Sequence, residues 1–311
     1  MTKPRRIVAG EIHLITRRCL HRKFYIKPSP FVTAVLWFLL AKFATRYKLR
    51  IHAFVAMGNH HHILFTDPRG VYSEFIRDYH SELARVLNAS RKRVGTFWER
   101  TPTHVADFAD AGKVLAKMVY VPVNPIAAGL CAKAASYRGA TTANYRIGQT
   151  LTFTDPGIYS GHHSNPETYS LTLYKPDCYQ HLSNEAFNEL LQEAVRKREL
   201  ALRRERQRKG RMLMSEREQE AISIDDSPDT VEPFKAPVPT IIASTKERRR
   251  ERKQVVRGFR ARYKAARSTM VGQSGNIILR SVFPEGTWKL WRDGFAERYD
   301  ADGNVWPAYR C

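Results

Sequence analysis

The sequence predicts an α+β protein: a ferredoxin-like, split βαβ antiparallel sheet with helices, followed by a largely helical, basic C-terminal extension. Three observations predict it. Alternating segments and segments with apolar residues three and four apart succeed one another in the order strand, helix, strand, strand, helix, strand, helix. Beyond about Tyr145 the periodic apolar positions thin out, and the positive charge gathers in the C-terminal half.

The first strand is EIHLITRRC (11–19), where β-branched and apolar residues are interleaved with His13, Thr16 and Arg17. From Ser29 to Tyr47, Val32, Val35, Leu36, Leu39, Leu40 and Phe43 recur at helical spacing, with Pro28 and Pro30 where a helix would begin. RIHAFVAM (50–57) reads as the second strand and HHHILFTD (60–67) as the third, with Gly58 and Asn59 as a two-residue hairpin break. A second helix fits Ser73 to Leu87 on the stripe Phe75, Ile76, Tyr79, Leu83, Val86 and Leu87. TFWERTPTHVA (96–106) supplies a fourth strand, and a third helix runs from Asp107 to about Val121.

These readings divide the chain at 1–148 for the sheet domain, 149–184 for an irregular linker and 185–222 for a basic helical segment. A Pro-rich hinge follows at 223–244, then a basic helix and small Trp-containing region at 245–311, with Trp288, Trp291 and Trp306 as a small β-like cap.

Lys and Arg number 52 against 30 Asp and Glu, a formal net charge of +22 that attracts a dense polyanion, nucleic acid before anionic membrane. Residues 196–211 carry net +7 and 246–267 net +9, so two blocks hold +16 of it. Both read as phosphate-gripping arms, with Arg248, Arg249, Arg250 and Arg252 as contacts and Phe259 and Tyr263 as stacking platforms for unpaired bases. Arg17 and Arg18 beside the first strand are further contacts. Cys19, Cys131, Cys178 and Cys311 are scattered without a C-x-x-C pair, which argues against a disulfide scaffold or zinc knuckle. The longest apolar run, about Phe31 to Ala41, is too short to span a bilayer, and the N-terminus lacks an apolar signal-peptide region. A reducing, cytoplasmic setting without membrane attachment is expected.

GNHHHILF (58–65) carries the chemistry. Residues two apart on a strand share a face, so His60 and His62 point together and His61 points away. Two imidazoles on one strand can hold one divalent ion if a third ligand comes from elsewhere. On the third helix, Lys113, Lys117, Tyr120 and Asn124 fall on one side, opposite the apolar stripe of Val114, Leu115, Met118 and Val121. A tyrosine is a nucleophile for phosphorus, a metal ion polarises a phosphate, and the Asn124 amide oxygen can complete the metal shell.

These segments resemble the HUH endonucleases, specifically the single-tyrosine transposases of the insertion-sequence and REP-associated type. NHHHILF is similar to their N-H-x-H-L-L segment, FWERTPTHV to their F/L-W-x-x-R-x-x-x-x-V strand, and YVPVNPIAAGL to their Y-[IV]-x-x-N-P-x-x-A-G-L motif. The resemblance covers roughly residues 5 to 145. It implies His60 and His62 as metal ligands, Tyr120 as nucleophile, Asn124 as the polar residue completing the metal site, and Mg²⁺ or Mn²⁺ as the ion. It also implies cleavage and rejoining of single-stranded DNA beside palindromic hairpins, through a covalent 5′-phosphotyrosine with release of a 3′-OH; a homodimer is compatible with it. Two residues depart from the pattern. His61 stands where the family has an apolar residue, so it needs a partner on the other sheet face or is a spare ligand. Pro122 removes a helical N–H and is expected to kink the helix before Asn124. The alternatives are a catalytically silent DNA- or RNA-binding protein that keeps the fold, and a metal-dependent phosphodiesterase that uses water.

Overall fold

A computed structural model describes residues 4–159, 166–230, 240–271, 283–287, 298–299 and 305–306. The chain is an α+β protein whose sheet and helices follow the predicted order. Strand β1 (Glu11–Arg18) leads through helix α1 (Pro30–Tyr47) to β2 (Arg50–Ala56) and β3 (His60–Asp67). Helix α2 (Tyr72–Ser90), β4 (His104–Phe108) and α3 (Val114–Ala127) complete the unit. Its four strands lie antiparallel in the order β2-β3-β1-β4, as a split βαβ sheet requires.

Local chemistry explains the boundaries. The Ser29 hydroxyl accepts from the Val32 N–H at 3.2 Å and Pro30 occupies the first turn, so α1 starts one residue inside the predicted position. The β2–β3 turn closes with Met57 N–H donating to the His60 carbonyl at 2.7 Å. At Gly58 an added Cβ would stand 2.9 Å from the Phe24 ring, so the close approach requires glycine.

Helices α1 and α2 cover one face of the sheet and α3 the other. His13, Ile15, Ile63, Phe65 and His61 point to the α1/α2 face, where Phe75, Tyr79 and Tyr72 pack against them. Thr16, Arg18, His60, His62 and Leu64 share the α3 face.

Several boundaries differ from the sequence reading. The fourth strand is 104–108 rather than 96–106, because Trp98 makes only an isolated bridge to Cys19 and its indole N–H is drawn to the His80 carbonyl at 2.8 Å. Helix α3 begins at Val114, after a short 3-10 turn at Ala111–Lys113 capped by Asp110. It also runs through Pro122 and Pro125 to Ala127, so Asn124 stays on the helix one turn beyond Tyr120.

The expected linker contains a hairpin, β5 (Thr150–Thr154) and β6 (Thr168–Thr172), folded onto α1. Its alternating Leu151, Phe153, Tyr169 and Leu171 sit between Thr and Ser residues, and Phe153 stacks on Trp37 with ring centroids 5.1 Å apart. Such a ring pair adds about 0.5–1.5 kcal/mol beyond simple burial. The predicted basic helical segment is two helices, α4 (Asn184–Arg208), which packs on α3, and α5 (Glu216–Ala221). They separate at Gly210, whose φ of +59° no helix continues through.

Of the expected hinge, residues 231–239 lie outside the described residues. The Ile241–Ile242 pair that follows is a strand, β7, added parallel to β4 at the sheet edge, and it leads into α6 (Lys246–Val271). Trp288 and Trp291 of the expected C-terminal cap lie outside the described residues. Val305–Trp306 pairs antiparallel with Arg298–Tyr299. No helix among the described residues is long and apolar enough to cross a membrane. Cys19, Cys131 and Cys178 are free thiols.

Candidate active site

The α3 face of β3 presents His60 and His62 with ring centroids 5.0 Å apart. Across from them α3 places Tyr120, whose ring meets that of His62 edge-on at 5.5 Å. His60 and His62 from a strand and Tyr120 from a helix therefore converge, although His62 and Tyr120 are more than fifty positions apart in the chain. Tyr120 keeps 38% of its surface exposed, while His62 is buried.

Two neighbours orient the imidazoles. Asn59 Oδ1, an acceptor, lies 2.6 Å from His60 Nδ1, which places a proton there and leaves a lone pair on Nε2. Thr16 Oγ1 lies 2.7 Å from His62 Nδ1; when the hydroxyl accepts, His62 adopts the same tautomer. Holding Nδ1 in this manner is how proteins prepare imidazoles to ligate through Nε2. Thr16 is the Cα partner of His62 in the β1–β3 register, so its side chain necessarily shares the face.

Burial, helped by the nearby charges of Lys117 and Arg18, holds His62 well below the usual histidine pKa and keeps it neutral, the form that binds metal. Burial pushes the Tyr120 phenol up, while the Asn124 amide and the Arg18 charge draw it down. Lys117 Nζ stands 4.5 Å from the Tyr120 ring centroid, and burial lowers its own pKa.

The donor set suits a divalent ion in part. No group of three His, Cys, Asp or Glu side chains gathers among the described residues. The shell would be His60 and His62 plus an oxygen, for which Asn124 is the protein candidate. Its Nδ2 donates to the Tyr120 carbonyl at 2.8 Å and lies 3.4 Å from that of Val121, so these bonds do not use Oδ1.

The remaining predicted residues divide. Arg18 is exposed and opposite His60, near both His62 and Tyr120. Arg17 faces the other way: it donates to the Thr101 carbonyl at 2.5 Å and sits over the Trp98 ring. Lys113 is exposed on the turn before α3. Arg248, Arg249 and Arg250 are exposed on α6, whereas Arg252 turns inward and pairs with Glu11 at 2.5 Å. Phe259 is only 1% exposed, so it belongs to the packing of α6 and cannot stack on a base.

His61 finds its partner inside the protein. Its Nε2 lies 2.9 Å from His80 Nε2 beneath Phe54, Tyr79 and Trp98, on the face opposite His60 and His62. Burial holds both imidazoles well below the ordinary pKa, so both are neutral, one donating and the other accepting. His61 cannot be a spare ligand for the His60–His62 pair.

Several solved chains resemble this one, two of them as follows. One is a REP-associated tyrosine transposase bound to a REP hairpin, 15% identical, matching 46% of this chain and 82% of its own with a TM-score of 0.38. The other is a protein from Deinococcus radiodurans proposed to be a transposase, 19% identical, matching 38% of this chain and 92% of its own with a TM-score of 0.28. No family model matches the sequence, and no curated protein does.

Proposed function

We propose that this chain is a metal-dependent single-stranded DNA transposase or nickase that cleaves and rejoins DNA beside hairpins through Tyr120. The observation that carries the reading is the contact between the half-exposed Tyr120 ring and the buried, oriented His62. A tyrosine kept for packing alone would sit inside the apolar stripe of α3, with Met118 and Val121.

Tyr120 Oη attacks the scissile phosphorus, forming a P–O bond to the protein as the bond to the 3′ oxygen breaks. The phenol loses its proton to solvent at the exposed edge of the ring, and the departing 3′ oxygen gains one, leaving a free 3′-OH. Rejoining is the reverse exchange, which conserves the phosphodiester bond energy. A Mg²⁺ or Mn²⁺ ion held by His60, His62 and Asn124 would polarise the phosphate and offset its growing negative charge. Arg18 and Lys117 add positive charge beside the nucleophile.

The test is a denaturing gel of protein incubated with labelled hairpin-flanked single strands and Mn²⁺. A covalent adduct is expected from wild type and absent from Tyr120→Phe, which removes one oxygen from a half-exposed side chain. Adduct formation by Tyr120→Phe, or none by wild type across a broad hairpin panel, would sink the reading. In the second case, retained binding would favour a catalytically silent nucleic-acid-binding protein.

A further inference from the structure

A second feature adjoins this site and belongs partly to the C-terminal extension. Helix α6 folds back along the sheet edge. β7 ties its start to β4, with Ala109 N–H donating to the Ile242 carbonyl at 2.8 Å, and Asp110 accepts from the Ser244 N–H at 2.9 Å. Farther along, Arg252 pairs with Glu11, and Phe259 and Ala266 are buried.

Between α6 and the β4 edge lies a cleft of about 700 Å³. From the strand side Arg5, Arg17 and Arg18 line it; from α6, Lys253, Arg257 and Arg260 do. Its two carboxylates, Glu99, which accepts from the His21 N–H at 2.6 Å, and Asp107, 2.9 Å from His13 Nδ1, offset only part of that charge. Arg5 and Arg17 bond the Thr103 and Thr101 carbonyls, which do not neutralise charge. Lys253 and Arg257 are exposed and form no ion pair among the described residues.

Crowding like charges around one cavity costs energy unless an anion enters it. The volume is that of a small-ligand site, on the scale of a few sugar–phosphate units of one strand. The cleft adjoins the face that carries His62, through Thr16, Arg18 and His104. His62, Thr16 and His104 are cross-strand partners in one row over β3, β1 and β4, and Thr16 both bonds His62 and lines the cleft. With strands about 4.8 Å apart, His104 stands roughly 10 Å from His62.

We infer that the cleft between the β4 edge and α6 holds the single nucleic-acid strand contiguous with the scissile phosphate, and that α6 is its clamp. The direction of the path rests on the Tyr120 reading above; the cleft's affinity for a strand does not. Contact is through backbone charge, so it is indifferent to base sequence. The cleft-lining members of α6 do this work, while Arg248, Arg249 and Arg250 lie outside the cleft.

The experiment measures binding in EDTA, by fluorescence anisotropy, of a fluorescein-labelled oligothymidine to the full chain carrying Tyr120→Phe, so that no chemistry intervenes. Adding Lys253→Glu and Arg257→Glu should weaken binding by about tenfold or more, and flatten the salt dependence by about 1.4 in slope, two phosphates at about 0.7 each. The same charge change at Arg249→Glu and Arg250→Glu should cost less than about threefold, because these side chains do not line the cleft. Equal losses from both pairs, unchanged binding in the first, or a blunt duplex weakened in step with the single strand would each overturn the clamp. A photoreactive group at Val256, on the cleft wall, should crosslink to nucleotides next to those labelled from position 117. Crosslinks at separate ends of a long strand would overturn the shared path. Loss of the Tyr120 adduct with this binding pattern intact would remove the catalytic reading and leave the cleft standing.

Discussion

His61→Leu should destabilise the protein without touching its chemistry, and His62→Leu should do the reverse. His61 is fully buried, His80 is 5% exposed, and their Nε2 atoms share one hydrogen bond at 2.9 Å. Leucine fills nearly the same space but leaves His80 Nε2 unpaired in an apolar pocket, a cost of about 1–3 kcal/mol. Lost ring contacts with Tyr79 and Trp98 add about 1 kcal/mol. The double variant His61→Leu/His80→Leu removes both polar groups, so the two substitutions should be non-additive by about 1–3 kcal/mol, the double being more stable than the singles sum to. Urea denaturation of the wild type, both singles and the double, at a pH above 7 where all these imidazoles are neutral, supplies the cycle. Additive losses would refute a direct His61–His80 pair. Where the wild type forms the proposed adduct, its loss in folded His61→Leu protein would refute the placement of His61 on the face away from Tyr120.

Three other outcomes are expected. Thr16→Val removes the hydroxyl that fixes His62 Nδ1 and should lower Mn²⁺ affinity by about 10–100-fold, read by titration calorimetry, with little change in thermal stability. His52 is buried between the Tyr174 carbonyl and Thr66, and burial brings its pKa down to about 4. Above pH 6.5 it is neutral folded and unfolded alike; as pH falls towards 4 only the unfolded chain takes up the proton, so about 3 kcal/mol is lost over that interval. Stability curves at pH 7 and pH 4 should therefore converge by roughly that amount in His52→Gln, and parallel curves would exclude it. Gly58→Ala forces a Cβ to 2.9 Å from the Phe24 ring and should cost about 1–3 kcal/mol, seen as a lower urea midpoint.

Periodicity was a good guide wherever one element's own pattern decides its fate. The interval between His60 and His62, the four-residue step from Tyr120 to Asn124 and the stripe of α2 all depend on a single strand or helix. It failed at FWERTPTHV, where Trp98 has the look of a strand residue but is drawn to His80, and strand pairing begins only at His104. It failed again in the supposed linker, whose alternating Phe153, Tyr169 and Leu171 are short, Thr-rich strands that make sense only once Trp37 and Phe38 of α1 are there to cover. Helix α3 carries Pro122 and Pro125 without ending, so Asn124 stays on it one turn beyond Tyr120.

By itself, then, the sequence determined the split βαβ order, the opposed directions of His61 and its neighbours, and the excess of charge in the extension. These follow from the periods of single elements and from composition. It took the packed chain to set Thr16 against His62 and His80 against His61, and to draw Arg252 and Phe259 into packing while Lys253 and Arg257 faced a cleft. Each of those outcomes depends on which strand lies beside which and where α6 comes to rest. Contacts between residues tens to hundreds of positions apart leave no period in the chain to read.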